Sequence, residues 1–180
     1  NYNVLTANET FGFLTSEGDG NYLYDNFASL GIESIGDDND IINNRTEGGL
    51  KSVGDHNDIF SNTLGGNLSS NGEHNQIAYN SVAGNLVSTG DYNTLISNTV
   101  AGSMYSIGDR NTLGYNKVGE NIVSIGDYNT VASNTVAGSV YSSGDRNILE
   151  YNQVGGNIVS SGDYNTVAFN TVAGSVYSEG

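Results

Sequence analysis

The side chains in this chain that could do chemistry recur at a fixed interval. Acidic residues return every 18 positions, at Asp91, Asp109, Asp127 and Asp145 in the centre and at Asp19, Asp37, Asp55, Glu73 and Asp163 to either side. Carboxylates repeated at short, regular spacing suit divalent cations, so Asp91, Asp109, Asp127 and Asp145 are the candidate calcium ligands. If successive copies lie ~4.8 Å apart, as parallel strands do, neighbouring charges repel by ~0.9 kcal/mol in water, and a cation would relieve that. The GGxGxD signature of calcium-binding nonapeptide rolls is missing, and with it the backbone-lined cage. Gly-Asp then reads as an Asx-type turn carrying a solvated carboxylate. The expectation is no resident metal or cofactor, with calcium the one candidate. His56 and His74, also 18 apart, have no Cys or Ser nucleophile pattern beside them and read as a solvated pair. So uniform a repeat offers no evident pocket, and no catalytic residue is expected.

Two further sets of columns bear on binding. Directly after the acidic position, Tyr92, Arg110, Tyr128, Arg146 and Tyr164 alternate. On a ~4.8 Å ladder this places each Arg between two Tyr rings, an outward stack in which an exposed cation–π contact is worth ~0.5–1 kcal/mol. Alternation at 36 residues also marks a duplicated two-unit block. Threonines form ranks at Thr94, Thr112, Thr130 and Thr166 and at Thr99, Thr135 and Thr171, the arrangement an ice-binding face would use. Ile148 breaks the first rank, and Lys117 and Gln153 break the second.

These columns need a scaffold that stacks like over like, and the repeat supplies it. The unit reads G-D-x-N-x-[LIV]-x-x-N-x-V-x-G-x-[LIV]-x-S-x, opening at Gly18, Gly36, Gly54, Gly72, Gly90, Gly108, Gly126, Gly144 and Gly162. Residues 1–17 form a unit lacking its first glycine. A fixed period near 20 residues, in units that cannot bury their own apolar face, means a solenoid. Asn134, Val136, Gly138, Val140 and Ser142 alternate at period two, which specifies strand, and Asn, Gly, Ser, Thr and Val are poor helix formers. The predicted fold is all-β: one parallel β-solenoid domain over residues 1–180, ten 18-residue coils with two or three short strands each. Its candidate structural ladders are the fourth-position asparagines (Asn93, Asn111, Asn129, Asn147), the ninth-position asparagines (Asn98, Asn116, Asn134, Asn152) and the seventeenth-position serines (Ser106, Ser124, Ser142). A stacked amide both donates and accepts, so copies can satisfy one another where a lone buried Asn would be costly. The serines are expected to do the same on a smaller scale at a corner.

Composition narrows the partners. Formal net charge is −15, with 20 acidic and 5 basic residues, which argues against nucleic acid and anionic membrane. No apolar run approaches a membrane span, so no membrane insertion is expected. There is no cysteine, hence no disulfide framework, and no proline, which suits ladder strands.

The turn Ser124-Ile125-Gly126-Asp127-Tyr128-Asn129 resembles the curlin repeat, whose subunits build extracellular amyloid fibres. The N-T-V segments are similar to those of grass ice-recrystallisation inhibitors, and Asn80-Ser81-Val82-Ala83-Gly84 resembles the heads of trimeric adhesins. The curlin resemblance implies an extracellular or cell-surface fibre subunit that partners with itself. Neither end of the chain shows a recognisable cap, and an open coil invites another chain, so the expectation is that the chain polymerises end to end or that these coils belong to a longer array. The functional expectation is a non-enzymatic structural subunit stacking end to end into a fibre or matrix. An ice-binding solenoid and the stalk of a surface adhesin are the alternatives.

Overall fold

Residues 2–180 of this protein, as described by a computed structural model, form ten stacked coils with three strands in each. In the eighth coil the strands are Thr130–Ala132, Thr135–Val136 and Val140–Ser143. Each strand pairs in parallel with its counterparts in the coils before and after. The result is three ten-stranded sheets, and no strand is out of sequence order within its sheet. The register is one full repeat: Val131 sits over Leu149, Val136 over Val154 and Ser142 over Ser160. A register slip of one residue would turn every inward side chain outward, so the strict period and the strict register enforce each other.

Three aliphatic columns fill the interior. One runs through Leu95, Leu113, Val131 and Leu149, a second through Val100, Val118, Val136 and Val154, and the third through Met104, Ile122, Val140 and Ile158, all buried. Each strand contributes inward residues at alternate positions. Because a coil is only one strand deep, it covers its neighbours and not itself. Toward the last coil, Val167 and Val172 are only partly covered, and Val176 is 52% exposed where its counterpart Val140 is fully buried.

The corners have a conformational signature that composition conceals. The third and eighth positions of the coils sit in the left-handed region although most are bulky: Tyr128 at φ 59°, Arg146 at 56°, Ser133 at 58° and Tyr151 at 56°. A non-glycine residue held there costs roughly 1–2 kcal/mol. The turn that results aims the amide of the following asparagine at the next coil, where a side chain accepts it.

Candidate functional site

Following every corner amide to its acceptor shows what the polar columns do. In the eighth coil the strands and turns leave four amides with no carbonyl to bond, those of Asp127, Asn129, Asn134 and Ser139, and each is satisfied by a side chain one coil away. Asp127 N–H donates to Asp109 Oδ1 at 2.8 Å and Ser139 N–H to Asn121 Oδ1 at 2.8 Å, both toward the preceding coil. Asn129 N–H donates to Asn147 Oδ1 at 2.7 Å and Asn134 N–H to Asn152 Oδ1 at 2.9 Å, both toward the following coil. A buried amide without a partner costs about as much as a lost hydrogen bond, so four side-chain columns close the turns that the backbone cannot.

The two asparagine columns are not equivalent. Along Asn98, Asn116, Asn134 and Asn152 the side chains bond one another as well as the backbone. Asn116 Nδ2 donates to Asn134 Oδ1 at 3.0 Å and to Leu95 O at 2.9 Å, and Asn134 Nδ2 repeats the pattern to Asn152 Oδ1 at 3.0 Å and Leu113 O at 2.8 Å. Along Asn93, Asn111, Asn129 and Asn147 the amides do not bond side chain to side chain. Asn111 Nδ2 donates instead to Gly90 O at 3.1 Å and Asn129 Nδ2 to Gly108 O at 3.0 Å, while Asn147 Nδ2 is buried with no partner.

The serine column departs from expectation. Ser106, Ser124 and Ser142 are buried within the third strand of their coils, not at a corner, and their hydroxyls have no hydrogen-bond partner. A ladder one strand spacing apart, ~4.8 Å, exceeds the reach of an O–H···O bond, and a serine side chain is too short to close the gap as an amide does. Serine is the small residue that fits this wall, and its hydroxyl is unused. Replacing Ser142 with alanine is therefore expected to leave the midpoint of thermal unfolding unchanged or to raise it, since an unpaired buried hydroxyl costs ~1–3 kcal/mol. A loss of more than about 1 kcal/mol in calorimetry would show that the hydroxyl has a partner after all.

Sequence reasoning overlooked the column at the fourteenth position. There Asn85 Oδ1 accepts from Ser103 N–H at 2.8 Å, Ser103 Oγ from Asn121 N–H at 3.3 Å, and Asn121 Oδ1 from Ser139 N–H. The alternation Asn85, Ser103, Asn121, Ser139, Asn157, Ser175 was visible at 18-residue spacing. It was masked because two residue types share one role.

The acidic column is committed to the same task. Asp91 Oδ1 accepts from Asp109 N–H at 2.7 Å and Asp127 Oδ1 from Asp145 N–H at 2.7 Å, so one carboxylate oxygen per coil is engaged along the axis. Calcium takes six to eight converging oxygens. Among the described residues no three His, Cys, Asp or Glu side chains converge on a common centre. Elsewhere, Asp40 and Asp58 face each other across paired strands. Burial pushes both carboxyls up, and the charge of Asp40 adds to the rise at Asp58.

Compared with family models, curated proteins and solved structures, the chain matches none.

The outward stack forms as the alternation requires. Arg110 lies 5.4 Å from the Tyr92 ring and 5.1 Å from that of Tyr128, and Arg146 lies 5.5 Å from Tyr128 and 5.2 Å from Tyr164. His74 extends it, 4.8 Å from Tyr92 and 5.0 Å from His56. The second sheet's outer face carries a shallow open groove of about 490 Å³ along Thr99, Ala101, Lys117, Thr135, Gln153 and Thr171. Its threonines do not form an unbroken rank. What the arrangement offers is a rigid, self-similar surface, and its most complete chemistry is the one coil presents to the next.

Proposed function

We propose that this protein is a structural, non-catalytic solenoid that extends by coil stacking into a fibre or matrix at the cell surface or outside the cell. The observation that carries this reading is the sameness of the coil-to-coil junction. Each interior junction repeats three parallel strand pairings and the side-chain bonds of the asparagine columns, so the lower face of any coil is complementary to the upper face of any other. The tenth coil presents the face that the eighth buries against its neighbour: the amides of Asn165 and Asn170 point outward, and the strand Val176–Glu179 is exposed throughout. In the first coil the Oδ1 atoms of Asn3 and Asn8 occupy the place of acceptors that are filled at every interior junction. A further coil, from the same chain or from another copy, would make the same bonds at either face. The likeness to curlin subunits belongs to this reading, and so does an acidic surface that keeps the sides of the rod apart while its ends meet.

The test is assembly of the purified 180-residue protein at micromolar concentration, followed by electron microscopy and sedimentation. Filaments with the solenoid's cross-section are expected, together with their loss on Val167→Lys plus Val172→Lys, which charges the open ends of two aliphatic columns, while the circular dichroism spectrum stays that of the wild type. Monodisperse particles ~5 nm long, the height of ten coils at ~4.8 Å each, would overturn the proposal.

A further inference from the structure

Two corners of the solenoid carry aromatic columns, and only one of them is filled. On the first, rings at Tyr92, Tyr128 and Tyr164 stand two coils apart, ~9.6 Å, and the guanidinium groups of Arg110 and Arg146 occupy the two gaps. On the second corner Tyr79, Tyr115 and Tyr151 repeat the same spacing, with Ser97 and Ser133 between them. The backbone is the same at both: φ is 59°, 57° and 56° at these three tyrosines and 57° and 56° at Arg110 and Arg146. The tyrosines are 65%, 71% and 58% exposed, and the serine side chains between them are too short to bridge neighbouring rings. Beyond Tyr151 the column closes, because Phe169 stacks on it at 5.1 Å.

We propose that the slots between Tyr79 and Tyr115 and between Tyr115 and Tyr151 receive two arginine side chains of a basic, extended polypeptide. The first corner shows which group fits a slot of this width, since each guanidinium there lies between 5.1 and 5.5 Å from two ring centroids. Charge favours the same occupant: the chain is net −15, and its field draws in cationic partners. Along the chain Glu150 adjoins Tyr151 and Lys117 follows Tyr115 by two residues, one charge of each sign. Spacing selects the backbone. A polyproline II chain advances ~3.1 Å per residue with three residues per turn, so arginines at every third position stand ~9.3 Å apart on one face. A strand places same-face residues ~6.7 Å apart and misses the second slot. The partner is thus a proline-rich or otherwise extended segment with Arg at every third residue. This surface lies on the side of the rod, and it remains available whether or not the ends stack.

The test titrates a fluorescent peptide of four Arg-Pro-Pro repeats with the 180-residue protein, at about 150 mM salt so that unspecific attraction is screened. Tyr115 borders both slots, so Tyr115→Ala is expected to weaken binding about 5–30-fold, two exposed cation–π contacts' worth. Ser97→Arg with Ser133→Arg copies the first corner and fills both slots from within. It is expected to block the peptide to a similar extent while the circular dichroism spectrum stays that of the wild type. Tyr164→Ala, on the filled corner, should leave binding unchanged. The proposal is overturned if the peptide does not bind, if Tyr115→Ala binds as well as the wild type, or if Lys-Pro-Pro repeats bind as tightly as the arginine peptide. It is equally overturned if the free protein is a dimer that the double arginine variant dissociates, because a second copy's rings would then be the occupant.

Discussion

Asn134→Ala is expected to destabilise the solenoid by about 3–5 kcal/mol, far more than the truncation of a single polar side chain on a surface. The side chain does four things at once. Its Oδ1 accepts from Asn116 N–H at 2.9 Å and Asn116 Nδ2 at 3.0 Å, and its Nδ2 donates to Leu113 O and to Asn152 Oδ1. Alanine leaves the backbone N–H of Asn116 and one of its two Nδ2 hydrogens buried without an acceptor, the other Nδ2 hydrogen keeping Leu95 O, at ~1–3 kcal/mol for each lost partner, and opens a space the rigid coil cannot close. In a chain of this length each kcal/mol moves the unfolding midpoint by about 2–4 °C, so a fall of roughly 6–20 °C is expected. Amide exchange should quicken first at Asn116, the residue whose N–H loses its acceptor. A midpoint within about 2 °C of the wild type would show that the ninth-position column does not hold the coils together. The contrast with Ser142→Ala is instructive: both residues are buried, polar and repeated in every coil, yet only one carries bonds.

The second large effect is expected at a glycine. Gly126 sits at φ +126°, a conformation L side chains rarely adopt. A Cβ there would run into the carbonyl group of Gly108 and lie 2.8 Å from Asp109 Oδ1. Neither obstacle can step aside, because Gly108 is held in the stack by the hydrogen bond its N–H donates to Ile125 O, and Asp109 Oδ1 is accepting from Asp127 N–H. Backbone strain of ~1–3 kcal/mol and overpacking of similar size add to about 3–5 kcal/mol for Gly126→Ala. Gly114 is the matched control: a Cβ there meets nothing nearer than 3.8 Å, and the same column already holds Ala132 and Ala168. Gly114→Ala should change the midpoint by no more than a degree or two. If the two variants melt alike, the close approach of successive corner backbones is not what the glycine column serves.

Neither prediction depends on what the rod does for its cell, and together they locate its stability. The aliphatic columns supply the general attraction between coils, as in any solenoid. The corners decide that only one arrangement closes, because each turn has an amide that only a side chain in a neighbouring coil can satisfy.

The sequence by itself determined the coil. A strict 18-residue period, alternating inward residues such as Val136 and Val140, and asparagines at two fixed positions leave a parallel stack as the one arrangement in which every coil finds the same partner. The Tyr–Arg alternation on the first corner was likewise legible, since strand spacing alone sets which side chains touch. Tertiary structure decided the direction and completeness of the polar bonds. That the ninth-position amides bond each other while the fourth-position amides turn to glycine carbonyls depends on the angle at which each corner delivers its side chain, a property of the closed turn and not of residue type. The left-handed backbone at Tyr128 or Tyr151 is invisible in sequence because propensity argues against it. It exists because the next residue's amide gains an acceptor one coil away. The serine hydroxyls of the third strand lack partners for a different reason: the backbone groups beside them are already paired in the strand ladder, and the next hydroxyl lies a full strand spacing away.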